Sequence, residues 1–425
     1  MCFKLKLYLG CFVVLNIAAI SLTMVNAAEW KIEPSINMKA QYNDNVRMRA
    51  DENNPEGSIG FTLDPRVKFA GEEQAVWDVA IDARGKIIRY QDIEDGDSEN
   101  AFFVFDGGRQ TERSDWRLNT SFERNSNFDT DFDTENPDAG LLDDHTERKT
   151  ISISPSVSWN PGETSQMSIS FNSTNVTYDE KTNLSYEDYD YDSLQFVAYW
   201  IVTENHQLGF TSSYAEYESP DASFFYDQTI IQFDYTYTIN QVSDVSFSLG
   251  GRRLDSLLED GEIVGCALAD EFETFGGCPV SQDPIFANVE NEEDGTVVNL
   301  SYRSYSETVR HSFTAGRTVA PSSFGGAQEV RNANYRLNVA NTERLSTKLL
   351  LDASETETIS GINSSNDRAR YRIEPSISYK LNKDWGLQFL YRYIQQDYTN
   401  SDRDGTSNAV FINLFLHWPK LATTY

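Results

Sequence analysis

Residues 30–42 read WKIEPSINMKAQY, a stretch in which apolar and polar side chains alternate one for one. The even positions from Trp30 to Tyr42 are apolar, and the odd positions from Lys31 to Gln41 are polar. Because successive side chains of a β-strand point to opposite faces, this stretch predicts a strand with one apolar and one wet face. Eighteen such segments follow one another after residue 28. Alternating segments of about ten residues are typical of a transmembrane β-barrel with a polar lumen.

The connections between the predicted strands alternate between short and long. The predicted strands are residues 30–42, 58–70, 75–89, 101–110, 115–125, 149–160, 165–178, 192–202, 207–217, 226–239, 244–253, 296–304, 309–319, 330–340, 344–355, 368–381, 385–395 and 408–418. An outer-membrane barrel has short periplasmic turns and long outer loops. We therefore predict an all-β fold: a single transmembrane antiparallel β-barrel of about 18 strands, with long acidic extracellular loops. The predicted location is the bacterial outer membrane.

The first 27 residues have the pattern of a signal peptide. Lys4 and Lys6 precede an apolar core from Leu7 to Leu22, and Val25-Asn26-Ala27 places small residues before the expected cleavage site. The alternative is a lipoprotein, because Leu9-Gly10-Cys11 is weakly similar to a lipobox. The predicted organisation is a signal peptide over 1–27 and the barrel over 28–425.

Tryptophan placement supports the barrel independently. Every tryptophan falls on the apolar phase of a predicted strand, next to a short turn or a terminus. Transmembrane barrels carry girdles of aromatic residues where the wall meets the membrane interface. The predicted interfacial girdle consists of Trp30, Trp77, Trp116, Trp159, Trp200, Trp385 and Trp418.

Two cysteines remain after the signal peptide, Cys266 and Cys278, and both lie in one polar stretch. This suits a loop disulfide in an oxidising compartment. Closing so short a loop would stabilise it by about 3 kcal/mol. The alternative is two free thiols.

The charges separate by location. The chain carries a formal charge of −31, and most acids fall in the predicted outer loops. The polar phase of the strands is richer in bases than in acids, and a pore lined by Arg and Lys selects for anions. The alternative is a wall of ion pairs that neutralise one another. The predicted pore-lining residues are Arg66, Lys68, Arg84, Lys86, Arg117, Arg303, Arg310, Arg336, Lys348, Arg370, Arg372 and Arg392.

Catalysis has little support in the sequence. The histidines His145, His206, His311 and His417 are scattered, without a metal-binding spacing or an obvious nucleophile. We predict no enzyme activity, no cofactor and no metal site.

The prolines show a trace of internal repetition. The segment from Lys31 to Ile36 returns from Arg372 to Ile377, and looser versions surround Pro65 and Pro155. Proline removes a donor from the strand ladder, so bulges at these sites are one hypothesis. Descent from duplicated hairpins is the other.

Tyr42-Asn43-Asp44-Asn45-Val46, the strand prolines and the terminal Trp418-Pro419 together resemble the β-barrel porin 2 family over essentially the whole mature chain. Members of this family are often linked with exopolysaccharide secretion. The resemblance implies an eighteen-stranded barrel through which such a polymer crosses the outer membrane. It assigns no individual functional residue.

The sequence thus predicts a passive channel for export of a hydrophilic, anionic polymer. A general or sugar-uptake diffusion porin is the alternative, and a surface-binding protein is a third possibility. Since the first strand closely follows the cleavage site, we expect no plug domain, and residues 254–295 are the longest loop that could close the lumen. The expected partners are outer-membrane lipid, lipopolysaccharide, a polysaccharide substrate and export proteins of the periplasm or inner membrane. We expect a monomer that binds no nucleic acid.

Overall fold

The structure is a computed structural model of the chain. It describes residues 29–50, 55–73, 76–93, 96–126, 146–179, 186–266, 274–275, 278–279, 284–322, 325–361, 367–399, 404–418 and 421–424. The predicted signal peptide, 1–27, lies outside these ranges. Within them, no helix is long and apolar enough to cross a membrane.

Eighteen long strands form the wall of a closed antiparallel barrel. The strands are β1 (Glu29–Asn43), β2 (Ser58–Glu73), β3 (Trp77–Tyr90), β4 (Ser98–Gln110), β5 (Ser114–Ser126), β6 (Glu147–Gly162), β7 (Ser165–Tyr178), β8 (Tyr189–Thr203), β9 (His206–Ser219), β10 (Phe224–Asn240), β11 (Ser243–Cys266), β14 (Pro284–Tyr305), β15 (Val309–Ser322), β16 (Gly326–Ala340), β17 (Leu345–Gly361), β18 (Arg368–Lys380), β19 (Trp385–Tyr398) and β20 (Gly405–His417). Three short strands complete the set: β12 (Thr274–Phe275), β13 (Cys278–Pro279) and β21 (Leu421–Thr424).

Each wall strand pairs with its neighbours in the chain, and β20 pairs with β1 to close the ring. The short strands β12 and β13 pair with each other, and β21 pairs with the start of β1. This architecture confirms the predicted all-β barrel and its strand number.

The two faces of the wall differ as the alternation requires. On the apolar phase, Phe61, Phe233 and Ile412 are 58%, 68% and 52% exposed on the outer surface, whereas the opposite phase is polar and lines the lumen. A closed barrel leaves no unpaired strand edge in lipid, and an apolar outer band is what lipid requires. The protein is accordingly a bacterial outer-membrane barrel.

Three of the four prolines in the repeated segments do not form bulges. Near Pro65, Pro155 and Pro375 the pairing with one neighbouring strand is interrupted and then resumes in the same register. At Pro34 the neighbour of β1 changes from β20 to β21. Since proline lacks the N–H that a ladder needs, each one lies where a ladder is broken. At Pro65, Pro155 and Pro375 no extra residue is inserted, so the bulge hypothesis is wrong there. At Pro34 the register shifts by one residue, from Ser35↔His417 to Ile32↔Leu421, as a bulge requires.

Strands β11 and β14 are much longer than predicted. We expected strands over 244–253 and 296–304, joined by a loop, but β11 extends to Cys266 and β14 begins at Pro284. The added part is a paired two-stranded ribbon with charges on both faces, including the pairs Asp255↔Glu292 and Leu254↔Glu293. Beyond the lipid neither face has to be apolar, so the strand continues without the alternation that marks it in sequence.

The Tyr42–Val46 motif joins the first and last wall strands. Asn43 Oδ1 accepts a hydrogen bond of 2.7 Å from the Ser407 hydroxyl. The two carboxylate oxygens of Asp44 accept from the backbone N–H and the side-chain Nδ2 of Asn408, at 2.7 and 2.8 Å. We call the pairing of β1 with β20 the seam. The motif therefore stabilises the seam through polar contacts at its extracellular end.

The disulfide between Cys266 and Cys278 stays a prediction, because both side chains lie outside the described part of the structure. We expect non-reduced peptides of membrane-extracted protein to contain the two cysteines joined, as read by mass spectrometry. Free thiols that alkylate without prior reduction would contradict the disulfide.

Candidate functional site

The lumen is the candidate site, and the strand registers place all the predicted basic residues on its face of the wall. Residues that are paired across a ladder point to the same face of the wall. Arg66 therefore lies beside Arg84, and Arg372 lies beside Asp352 of one neighbouring strand and Ile394 of the other. The residues placed on this face are Lys31, Lys39, Arg66, Lys68, Arg84, Lys86, Arg117, Arg303, Arg310, Arg336, Lys348, Arg370, Arg372 and Arg392.

On the β2–β5 side of the lumen, the bases form ion pairs. Arg66 Nε lies 2.8 Å from Asp82 Oδ1, and Arg84 Nε lies 2.7 Å from Asp64 Oδ1. Arg117 Nη1 lies 2.7 Å from a carboxylate oxygen of Asp78, with further acids close by. In this sector the alternative of a neutralised wall describes the lumen better than a basic lining does.

The β15–β19 side is different, because bases outnumber acids there. Its described lumen-facing acids are Asp352 and Glu374. The lumen-facing bases are Arg310, Arg336, Lys348, Arg368, Arg370, Arg372, Lys380 and Arg392. The basic excess predicted for the whole lumen is thus concentrated in one sector.

Within that sector, Arg368, Arg370 and Arg372 form a row on consecutive inward positions of β18. Their exposed fractions are 6%, 6% and 9%. At the lower end of the row, Glu374 Oε2 lies 2.7 Å from Arg392 Nε and 3.7 Å from Arg372 Nε. We call residues 368, 370 and 372 the arginine row. It places several positive charges close together on the lumen face, with Glu374 at its end.

The tip of the β15–β16 hairpin turns into the lumen. The β14–β15 ladder ends at Val298↔Arg317, although β14 continues upward on its other side, paired with β11. Above that point Val319 and Ala327, on the phase that faces lipid lower in these strands, are buried in one cluster with Leu254 from the inner face of β11. The outer face of the hairpin therefore packs on the inner face of the wall. We call the segment 318–330 the inturned hairpin.

A buried charge cluster anchors the inturned hairpin. The Glu329 side chain is 1% exposed and lies on the outward phase of β16. Its carboxylate accepts from Arg252 of β11 at 2.9 Å, from Arg317 of β15 at 2.5 Å and from Arg331 of β16 at 2.8 Å. The Arg252 side chain is also 1% exposed and contacts Glu293 at 2.9 Å. One carboxylate thus joins the hairpin to the inner wall.

Small residues and a tyrosine complete this contact. A Cβ on Gly295 would lie 2.5 Å from Arg252 Nε, so the glycine leaves the space that the guanidinium occupies. Tyr217 Oη donates a hydrogen bond of 3.0 Å to the backbone oxygen of Ser322. Gly325 has φ +71°, a left-handed conformation that glycine adopts without strain, and a Cβ there would lie 2.6 Å from Ala222.

Sequence reasoning missed this constriction. Residues 254–295, the longest candidate for closing the lumen, are only partly described, so that expectation stays a prediction. Among the described residues, the β15–β16 tip lies inside the lumen, and Arg252, Glu329 and Arg368 were not singled out. A signal was present, because Glu329 and Arg331 put charges on the apolar phase of β16 just where that phase stops facing lipid. Broken alternation at a strand end therefore marked the turn inward.

The predicted tryptophan girdle lies along the short-turn end of the barrel. Trp30 stacks on Phe69 with ring centroids 5.0 Å apart and lies 5.8 Å from Trp77. The indole N–H of Trp77 donates to Glu73 at 2.8 Å, and that of Trp116 donates to Ser114 at 3.2 Å. Such rings present an apolar body to lipid and a polar edge to water.

No protein-family model matches the chain, and no curated protein matches it. The resemblance to the β-barrel porin 2 family therefore remains a prediction. Similar solved structures include OccK9 (OpdG) of Pseudomonas aeruginosa, with 11% identity and a TM-score of 0.43 over 91% of this chain and 98% of that one. OccK2 (OpdF) of the same organism, in complex with glucuronate, has 9% identity and a TM-score of 0.46 over 92% and 98%. The alcaligin outer-membrane receptor FauA of Bordetella pertussis has 10% identity and a TM-score of 0.42 over 91% and 76%. We draw no conclusion about function from structural similarity at this level.

Proposed function

We propose that the protein is a passive outer-membrane channel for small hydrophilic solutes, with a preference for anions. The observation that carries the proposal is the excess of lumen-facing bases over acids on the β15–β19 side, where Arg310, Arg336 and Lys348 are exposed. Guanidinium groups along a pore stabilise an anion as it loses part of its hydration, and they repel cations. On the β2–β5 side the charges are paired, so this side is hydrophilic but adds no strong electrostatic field of one sign.

The inturned hairpin favours small solutes over a polymer. It occupies part of the extracellular mouth, and its anchor includes the fully buried Glu329 and Arg252. An exported polysaccharide would have to thread past this segment along its whole length, whereas a small solute passes once. We therefore place a diffusion or uptake porin ahead of the exopolysaccharide export that the family resemblance implies.

Replacing Arg310, Arg336 and Lys348 together by glutamate should reverse the ion preference. These side chains are exposed on the lumen face, where substitutions tune selectivity more than they affect barrel stability, so the variant should still fold and migrate heat-modifiably on gels. The measurement is the reversal potential of purified protein in planar bilayers across a KCl gradient. We expect anion preference in the parent protein and cation preference in the variant.

A matched control exchanges Arg124 and Lys149 for glutamate, which changes charge on the outer face of the wall, where these residues pair with Glu147 and Asp179. This control should keep the parent reversal potential. A folded triple variant that still prefers anions would show that these three bases do not set selectivity.

A further inference from the structure

Apart from Arg148 near the start of β6, four neighbouring strands, β6 to β9, line the lumen with polar groups that carry no charge. Their described inward positions between Thr150 and Ser219 are serine, threonine, asparagine, glutamine and tyrosine, with a few small or aliphatic residues. The acids of these strands, such as Asp192 and Glu216, lie on the outward phase. We call this sector the hydroxyl wall.

The side chains of the hydroxyl wall are exposed enough to contact a solute. Ser152, Ser154, Asn172 and Thr174 are all half-buried. Ser152 Oγ lies 3.0 Å from Thr174 Oγ1, and Ser154 Oγ donates to Asn172 Oδ1 at 2.7 Å. Each hydroxyl can donate once and accept twice, so these pairs leave hydrogen-bonding capacity directed into the lumen.

The hydroxyl wall faces the arginine row across the barrel. The wall runs β1 to β11 and then β14 to β20, so β7 and β18 are separated by nine steps in either direction around the eighteen-strand ring. A solute in the lumen therefore has guanidinium groups on one side and uncharged hydrogen-bonding groups on the other. Charge on the solute suits the first surface, and hydroxyl groups suit the second.

We propose that the channel favours small hydroxylated carboxylates, of the sugar-acid kind, over equally charged carboxylates that lack hydroxyl groups. This rests on the proposed anion channel and names its solute class. A carboxylate pairs with exposed bases of the β15–β19 side, such as Arg336 and Lys348, while its hydroxyl groups exchange hydrogen bonds with the hydroxyl wall, replacing water lost on entering the lumen. A carboxylate with an alkyl chain gains nothing from the second surface.

The test compares potassium gluconate with potassium hexanoate in planar bilayers containing the purified full barrel. Bi-ionic reversal potentials against KCl at pH 8 give the permeability of each anion and record only the ionised form. Gluconate is the bulkier anion, so a pore that selects by charge and size alone would favour hexanoate. We expect gluconate to be favoured by about five-fold, which corresponds to one net hydrogen bond.

The S152A/S154A/S168A/S170A variant should lose this preference and keep its chloride-over-potassium preference. The S173A/S212A control removes serines from the outer face and should behave as the parent. If the parent passes hexanoate as well as gluconate but still prefers chloride, the inference is wrong and the proposed channel stands. If the parent shows no anion preference, both fail. If the serine variant does not fold, the gluconate-to-hexanoate permeability ratio of the parent protein alone decides whether the inference holds.

Discussion

Replacing Glu329 by glutamine is expected to release the inturned hairpin and to raise single-channel conductance. The carboxylate of Glu329 is the shared partner of Arg252, Arg317 and Arg331. Without its charge, these partly buried guanidinium groups lose the counter-ion that they share, although Arg252 keeps its pair with Glu293 and Arg331 keeps its pairs with exposed acids. Breaking a buried ion pair by removing one partner typically costs about 3–5 kcal/mol. The hairpin can avoid this cost by moving away from β11, which would widen the extracellular mouth.

The matched control for this change is Glu357→Gln. Glu357 also pairs with Arg331, at 3.0 Å, but its side chain is 53% exposed. An exposed pair contributes about 0–1 kcal/mol, so this variant should keep the parent conductance and thermal stability. If Glu329→Gln lowers stability while its conductance stays at the parent value, the inturned hairpin does not limit the flow of ions.

The membrane-spanning wall is the part of the fold that sequence determines most directly. Lipid on one side and water on the other impose a strict two-residue period, and that period is what made β1 predictable as 30–42 against the observed Glu29–Asn43. The same period assigns a face to each lumen residue, which is why Arg66, Arg336 and Arg372 could be placed before any coordinates. The face of the wall to which a side chain points therefore follows from local alternation alone.

Partners across the wall could not be predicted in the same way. Arg66 meets Asp82, and Arg372 lies between Asp352 and Ile394, because of the registers between neighbouring strands, which depend on turn geometry and not on the alternation within a strand. A shift of two residues in register keeps every side chain on its face and changes every partner. The contrast between a neutralised sector and a basic sector is therefore a property of the assembled barrel.

Beyond the lipid the constraint on alternation disappears, and with it the sequence signal. The ribbon of β11 and β14 and the inturned hairpin both lie in this region, and both were predicted as loops or strand ends. Their stability comes from tertiary contacts, such as Leu254 against Val319 and Ala327. Contacts of this kind leave no period in the chain, apart from charged residues that appear on a phase that is apolar elsewhere.

Replacing Asn45 by alanine is expected to weaken the seam between the first and last wall strands. Asn45 is 1% exposed. Its Nδ2 donates to the backbone oxygens of Arg49 at 2.7 Å and Thr406 at 2.9 Å, and its Oδ1 accepts from the Arg49 N–H at 3.0 Å. Alanine would remove these three hydrogen bonds, and each buried group left unsatisfied costs about 1–3 kcal/mol.

The measurement is the temperature at which the heat-modifiable band on gels converts to the unfolded form, which we expect to fall. Asn45→Asp tests the cause, because it keeps the size and the acceptor but loses the Nδ2 donor, so it should also lower the conversion temperature. Asn341→Ala is the control: Asn341 lies in an exposed short turn and accepts only from Thr347 among its described side-chain hydrogen bonds. Because barrel closure depends on the pairing of β20 with β1, a loss at Asn45 should destabilise the whole wall, whereas a loss at Asn341 should stay local. Equal conversion temperatures for the Asn45 and Asn341 variants would show that the Tyr42–Val46 motif does not stabilise the seam.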